Sequence, residues 1–308
     1  MGGKVKIILG GGLGNQLFQY FAGLFIAHKN SATLKVEATF SQRWRSGHHD
    51  WLDVLKLTGS ISEDAPRLSL SYLFANLRRV IRGILSRMVR EPSRQLRWLR
   101  QFRSSVVGYD PGLEKLGSHV TIMGYFQTWR YFKSLKDSGI APELQMDCNT
   151  DWYREMEKSI SNQGQILGIH IRRGDYLANP QIGVLSMEYY KAAVRMLKSR
   201  GVTWEKVWVF SDDTVAAEEE LQDLSLELGA VRFVEPPADS HSFESILLMS
   251  KVSSLIIANS TFSWWGAALG ISSRPIVCPE KWFASMGDPT DLCPPEWIRV
   301  KASWSPPS

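Results

Sequence analysis

From Ile166 onward the chain alternates short apolar runs with helical patterns, and no other feature of its 308 residues restricts the fold as much. The run Ile166 to Ile171 is followed by a helical pattern over 186–199, with Met187, Tyr190, Ala193 and Leu197 as inward positions. A strand at 207–210 leads to a helix over 216–228, and a strand at 231–234 to a helix over 242–250. A strand at 255–258 leads to a helix over 264–270, with a further strand at 275–278 behind it. Strands separated by helical patterns imply right-handed crossovers and a mostly parallel sheet. The N-terminus opens in the same way. Ile7-Ile8-Leu9 runs into Gly10-Gly-Gly-Leu-Gly14, then into a helical stripe of Leu17, Phe18, Phe21, Leu24 and Phe25, and a β-like run at 33–36 follows. A short strand from Val120 empties into an aromatic loop that continues through Trp129, Tyr131 and Phe132. The length allows two domains of about 150 residues, each with its own core. The polar stretch 142–164, with one helix in it, marks the division, giving domains of 1–155 and 156–308. Two such α/β halves enclose a cleft between them, a favoured place for a site.

Composition narrows the function classes. A hydrophobic content of 44% and a charged content of 22% are those of a folded soluble protein. The three cysteines, Cys148, Cys278 and Cys293, form no paired framework, so a reducing compartment is the simpler expectation. Six histidines without an HExxH or a Cys/His cluster suggest no zinc site. Neither end carries a secretory h-region or a membrane span. Met1-Gly2 is followed by Lys6 where a myristoylation signal wants Ser or Thr. The net charge of +5 is uneven: nine arginines and one acid, Glu91, lie between Arg78 and Arg103. Apolar residues recur there at helical spacing, so a basic helical insertion is expected near 70–105. It is either an arginine face for anionic lipid or charged substrate, or a helical hairpin with its basic face in water. No recognised nucleic-acid-binding module accompanies the charge.

Three strand ends in the second half are polar in a way that a core does not require. They are His170/Arg172/Arg173/Asp175, Ser211/Asp212/Asp213 and Asn259/Ser260/Thr261/Ser263. In a parallel sheet the carboxyl ends open on one edge, where ligands bind. An arginine fork grips phosphate by two parallel charge-assisted bonds. Two arginines beside hydroxyls and a helix N-terminus suit a diphosphate, and carboxylates suit ribose or base donors. Capping explains each cluster separately, since Asn259, Ser263, Asp212 and Asp213 are all N-cap types. Trp264 and Trp265 read as packing residues. The N-terminal glycine loop fits neither familiar cofactor motif. It ends Gly14-Asn15-Gln16 rather than Gly-Lys-Ser/Thr, and after Gly12 and Gly14 the third dinucleotide glycine is missing. It can still present backbone N–H groups and a helix N-terminus to an anion or a sugar, with Asn15 and Gln16 supplying amides for hydroxyls.

Four segments resemble the ordered motifs of the galactoside α-1,2-fucosyltransferases, more closely the bacterial members of glycosyltransferase family 11. They are Gly10-Gly-Gly-Leu-Gly-Asn-Gln-Leu-Phe-Gln-Tyr20, His170-Ile-Arg-Arg-Gly-Asp-Tyr176, Phe210-Ser-Asp-Asp213 and Asn259-Ser-Thr-Phe-Ser-Trp-Trp-Gly-Ala-Ala-Leu269. The resemblance implies a GT-B-like fold of two Rossmann-like domains, the first on the acceptor side and the second binding GDP-fucose. It implies inverting transfer of L-fucose from GDP-β-L-fucose to the 2-hydroxyl of a terminal β-galactoside in a surface glycan such as O-antigen. No metal or other cofactor is implied. The cytoplasm is the implied location, with peripheral contact at the inner membrane face if the acceptor is lipid-linked. Arg172 inherits the grip on the donor β-phosphate, with His170 alongside, and Asn15 lies near the transfer point. Ser260 and Thr261 meet the phosphates. Arg173, Asp212, Asp213, Glu244, Asn259, Ser263, Gly12 and Gly14 complete the expected donor side. Gln16, His48, His49, Asp50, Tyr125 and Gln127 form the expected acceptor side. The α-1,6 relatives have a glutamate soon after the His-x-Arg-Arg motif as a proposed base. Here Leu177-Ala-Asn-Pro180 follows, without an acid. Asp175 either orients Arg173 or accepts the acceptor's proton, and the first role is preferred because a carboxylate tied to a guanidinium is a weak base. Glu244 and a phosphate oxygen are the other base candidates. The alternatives are another GDP-sugar-dependent glycosyltransferase and a non-catalytic carbohydrate-binding protein on the same frame.

Overall fold

The structure, a computed structural model, describes residues 3–38, 60–61, 101–141, 144 and 150–306. The first sheet holds β1 (Gly3–Leu9), β2 (Ala32–Ala38), β3 (Ser60–Ile61), β4 (Gln101–Arg103) and β5 (Val120–Met123), all parallel, in the order β3-β2-β1-β5-β4. Between β1 and β2 runs α1 (Leu13–Lys29). Most of this helix is buried on every side, including Leu17, Phe18, Phe21 and Ile26, the mark of a helix covered by two neighbours rather than one. The aromatic stretch after Gly124 departs from the loop that its sequence suggests. Thr128 caps a helix there, α2 (Trp129–Asp137), whose Tyr131 and Leu135 are buried one turn apart. The C-terminal end of the basic stretch also departs from expectation. Gln101–Arg103 is a strand paired to β5, because its ladder bonds outweigh the helical spacing of the residues before it. Residues 62–100, which hold the rest of that stretch, lie outside the described residues.

The second sheet has six parallel strands: β6 (Ile166–Ile171), β7 (Lys206–Ser211), β8 (Val231–Val234), β9 (Ser254–Ile256), β10 (Ile276–Pro279) and β11 (Ile298–Val300). Their order is β11-β10-β9-β6-β7-β8. All six residues of β6 are buried, as a strand covered on both faces requires. The helices of eight or more residues are α3 (Asp151–Ser161), α4 (Met187–Ser199), α5 (Thr214–Leu221), α6 (Ser242–Lys251) and α7 (Thr261–Ala268). The helical pattern over 216–228 is broken in the structure. After α5 a 3₁₀ turn, Gln222–Leu224, keeps Leu221, Leu224 and Leu228 on the buried side. The expected division at 155/156 falls inside α3, which packs on α6 of the second sheet.

Each sheet reverses its strand order beside its first strand, and ligands of open α/β sheets bind at such reversals. In the second sheet the reversal lies between β6 and β9, so the segments after Ile171 and Ile256 flank one crevice. In the first it lies between β1 and β5, flanked by the glycine loop and the loop after Met123. One apolar cluster runs from the first sheet through α1 into the second. At its centre Trp264 and Trp265 of α7 are fully buried. Trp265 stacks on Phe21 at 5.0 Å, and Phe18 lies 4.4 Å from Trp264. Aromatic pairs of this kind add about 0.5–1.5 kcal/mol each beyond their area, so the two tryptophans act as the rivet between the halves.

Candidate active site

β6 carries His170 and Arg172 to the reversal point. Gly174–Tyr176 then form a single 3₁₀ turn. Gly174 has φ +28°, and a Cβ there would lie 2.2 Å from Asp212 Oδ2, so the turn needs glycine. The turn folds Asp175 back over Arg172, whose Nη2 donates to Asp175 Oδ1 at 2.5 Å. Its Nη1 lies 3.2 Å from Asp212 Oδ2, and its guanidinium sits 5.0 Å above the Tyr176 ring. Arg172 is thus held by two carboxylates and an aromatic face while its side chain stays 28% exposed.

Arg173 points elsewhere and is 3% exposed. Its Nε donates to Glu220 Oε1 at 3.0 Å, its Nη2 pairs with Glu220 Oε2, and its Nη1 donates to the carbonyls of Arg172 at 3.0 Å and Leu185 at 3.2 Å. This corrects the expectation that Asp175 orients Arg173. Adjacent residues of extended chain project to opposite sides, so the turn brings Asp175 to Arg172 alone. The Arg173 head is enclosed by protein partners and does not face the cleft as the expected donor-binding group.

His170 is 3% exposed. Burial, followed by the Arg172 charge, pushes its pKa down to about 3, so the ring is neutral. Its Nδ1 has no partner, and its ring lies 5.9 Å from that of Phe262. Burial pushes the Tyr176 phenol up.

The remaining donor-side candidates have structural bonds. Asp212 Oδ1 accepts from the Arg173 backbone N–H at 2.8 Å. Asp213 caps α5 through Ala216 N, and Ser260 caps α7 through Phe262 N. The Ser263 hydroxyl donates to the Ser260 carbonyl, and Asn259 Nδ2 donates to the Gly183 carbonyl at 3.1 Å. Glu244 is fully buried, accepting from Thr150 N at 2.6 Å, from the Thr150 hydroxyl at 3.0 Å and from His241 N at 3.3 Å. It closes a capping box and ties α3 to α6. With no exposed surface and three protein donors, it is corrected from base or donor contact to a staple.

At the reversal point of the first sheet the polar groups are amides. Asn15 Oδ1 accepts from Gln127 Nε2 at 2.8 Å, and Gln16 Nε2 donates to the Gly11 carbonyl at 2.9 Å. Gln127 is 6% exposed, and its Oε1 has no partner. Gly12 caps α1 with no described atom within 4 Å of the position of a Cβ, and its carbonyl accepts from Asn15 N and Gln16 N. Gly14 is a joint instead. A Cβ on it would lie 2.5 Å from the Thr261 carbonyl carbon, and its own carbonyl accepts from Trp265 Nε1 at 2.8 Å. The glycine loop of one half is thereby pressed on the helix N-terminus of the other. Tyr125 is 48% exposed beside this edge. His48, His49 and Asp50 lie outside the described residues.

Six buried side-chain polar atoms have no partner among the described residues. Three of them, His170 Nδ1, Arg172 Nε and Gln127 Oε1, belong to these two strand-end clusters. Such atoms cost about 1–3 kcal/mol each when unsatisfied, so these three are candidate ligand-contacting groups. Among the described residues no group of His, Cys, Asp or Glu could hold a metal ion, and no helix is long and apolar enough to cross a membrane. Sequence pattern does not point to Glu220, and it gives no role to Tyr176 or to Gln19, whose Oε1 accepts from Gly10 N at 2.6 Å. The one available signal is helix phase, which sets Glu220 three residues after the buried Ala217.

Residues 4–301 match the model of Glycosyl transferase family 11. The chain belongs to that family. Membership makes it a glycosyltransferase, with O-antigen relatives among bacteria. It is 28% identical over 299 residues to the alpha-1,2-colitosyltransferase of Escherichia coli, covering 95% of this chain and 97% of that one. It is 35% identical over 191 residues to the O-antigen biosynthesis glycosyltransferase WbnK of Escherichia coli, covering 58% and 60%. Among solved structures, FUT1 of Arabidopsis thaliana in complex with GDP superposes with a TM-score of 0.51 at 14% identity, covering 90% of this chain and 70% of that one. The shared architecture is the GT-B-like pair of helix-flanked parallel sheets.

Proposed function

We propose that this protein transfers a deoxyhexose from its GDP ester to the 2-hydroxyl of an acceptor sugar, inverting the transferred anomeric carbon. The second half holds the donor and the first half the acceptor. The observation that carries the reading is Arg172, poised at the reversal point of the second sheet with an unpartnered Nε. The colitosyltransferase relative, similar over nearly its whole length, supports the α-1,2 linkage and widens the donor choice. Colitose is fucose without one hydroxyl, so the two donors are GDP-fucose and GDP-colitose. The motif resemblance favours fucose on a terminal β-galactoside.

In such a transfer the growing charge is on the β-phosphate oxygens as the sugar becomes oxocarbenium-like, and stabilising it is the main catalytic term. Arg172 supplies it. The Arg172–Asp175 pair is releasable, because the Asp175 side chain is 73% exposed and exposed pairs hold by only about 0–1 kcal/mol. A phosphate can therefore displace Asp175 and take the fork. His170, being neutral, contributes a hydrogen bond rather than charge. Gly12 N–H and the start of α7 add backbone dipoles on either side. The acceptor hydroxyl's proton goes to Asp175 once it is displaced or to a phosphate oxygen of GDP, and Asp175→Asn separates the two by losing or keeping turnover. No metal is assigned a part. A lipid-linked acceptor would bring the chain to an anionic cytoplasmic membrane face, which the arginines between Arg78 and Arg103 suit.

The test is incubation with GDP-fucose, GDP-colitose and other GDP-sugars against a terminal β-galactoside, read by product mass and linkage. Transfer of one deoxyhexose in α-1,2 linkage is expected. Transfer from a different nucleotide only, or sugar binding without GDP release, would overturn the reading, the second in favour of a non-catalytic carbohydrate-binding protein.

A further inference from the structure

We infer that Glu220, on the last turn of α5, is a positioning residue for transfer: it fixes the leaving-group clamp Arg172 by way of Arg173. The inference rests on the role proposed above for Arg172. Glu220 receives both Nε and Nη2 of Arg173, a two-point grip that sets the plane of a guanidinium as well as its place. The fork so fixed turns its remaining nitrogen, Nη1, onto the carbonyl of Arg172 itself and onto that of Leu185. The backbone N–H of Arg173 meanwhile holds Asp212 Oδ1, and the other oxygen of that carboxylate faces Arg172 Nη1 at 3.2 Å. Arg172 is therefore reached from Glu220 by two routes, one through its own carbonyl and one through Asp212.

The contrast in burial gives the device its sense. Arg173 is 3% exposed, whereas Asp175, the partner that Arg172 gives up to a phosphate, is 73% exposed. The Glu220 side chain is 36% exposed, but the Arg173 charge that it answers is buried and would be left uncompensated without it, so the Arg173 anchor stays set while the Asp175 contact exchanges. Arg172 can then change partners without losing its place. Of the neighbouring acids Glu218, Glu219 and Glu220, only Glu220 is part-buried, on the side of Ala217 and Leu221.

The experiment compares wild type with Glu220→Gln, Glu220→Asp and Glu219→Gln, using steady-state transfer from GDP-fucose or GDP-colitose, GDP binding by calorimetry and thermal melts. A misplacement of about 1 Å in a catalytic group costs about 100-fold in rate. Glu220→Gln is expected to lower kcat by about that factor, with donor KM and GDP affinity changing by less than about threefold on the same scale. Glu220→Asp, which keeps the charge, is expected to recover part of the rate, and Glu219→Gln to match wild type. Unchanged kcat in folded Glu220→Gln overturns the inference. So does a loss of folding in that variant, which would make Glu220 a support of the fold, and so does a rise in donor KM alone. If wild type neither binds GDP nor transfers sugar, it is the GDP-sugar reading that fails.

Discussion

The strand-end edges of the two sheets, which meet where Gly14 packs on Thr261, are built from different chemistry. On the second sheet the groups are charged and mutually paired: Arg172 with Asp175 and Asp212, and Arg173 with Glu220. On the first sheet they are neutral: the glycine loop, Asn15, Gln16 and Gln127, joined by amide hydrogen bonds. Charge suits a leaving diphosphate, whose own charge grows during transfer. Neutral amides suit hydroxyls, which need donors and acceptors in fixed places and no net field. The difference supports the proposal that the donor lies at one edge and the acceptor at the other.

The largest expected effect falls on the charged edge. Arg172→Ala should lower kcat by about 10²–10³-fold, the usual cost of removing one stabiliser of transition-state charge, with Arg172→Lys between it and wild type. A rise in acceptor KM as the main effect would break the division between the edges. The next effect tests the joint that holds the edges together. Gly14→Val should destabilise the protein by about 1–3 kcal/mol or more through overpacking, since even a Cβ meets the Thr261 backbone. A melting temperature equal to wild type would show that the halves do not bear on each other there. On the neutral edge, Gln127→Leu should raise acceptor KM roughly 3–10-fold, the worth of one hydrogen bond, and leave donor KM unchanged.

The smallest effect is on pH dependence. Folded His170 stays neutral down to about pH 3, whereas the unfolded chain takes up that proton near 6.5. Stability from this group is therefore complete above pH 6.5 and declines as pH falls from 6.5 toward about 3, because only the unfolded form gains the proton. His170→Asn should flatten the fall of melting temperature over that acid range. An unaltered acid slope would place the destabilising proton elsewhere.

Much of the frame is legible in the chain. The strands beginning at Ile166 and near Val207 and Leu255 lie where apolar runs and breakers put them, since a strand buried on both faces must be continuously apolar, and the edge strand Val231–Val234 is found although Arg232 interrupts its run. The edge strand Ile298–Val300 is missed because three residues carry no period to read. The helix Trp129–Asp137 is missed because its aromatic residues mask a buried pair one turn apart. Within the site, the polar strand ends are legible as a set but their separate roles are not. Asn259, Ser263, Asp213 and Glu244 look like ligand groups in sequence, and each makes a hydrogen bond within the fold, local for Ser263 and Asp213 and long-range for Asn259 and Glu244.

The sequence alone determined that strands would alternate with helices, that the sheets would be parallel, and that Arg172 and Arg173 would stand at a strand end. Only the tertiary structure decided which arginine is buried. That choice depends on the turn at Gly174 and on Glu220, 47 residues further along the chain. It likewise decided that Gly14 is a joint and that Gly12 has room beside it, because Thr261 and Trp265 press on only one of them. Residue type and spacing fix what a side chain can do. Its direction, and the partner it finds, are set by dihedral angles and long-range neighbours that no local pattern contains.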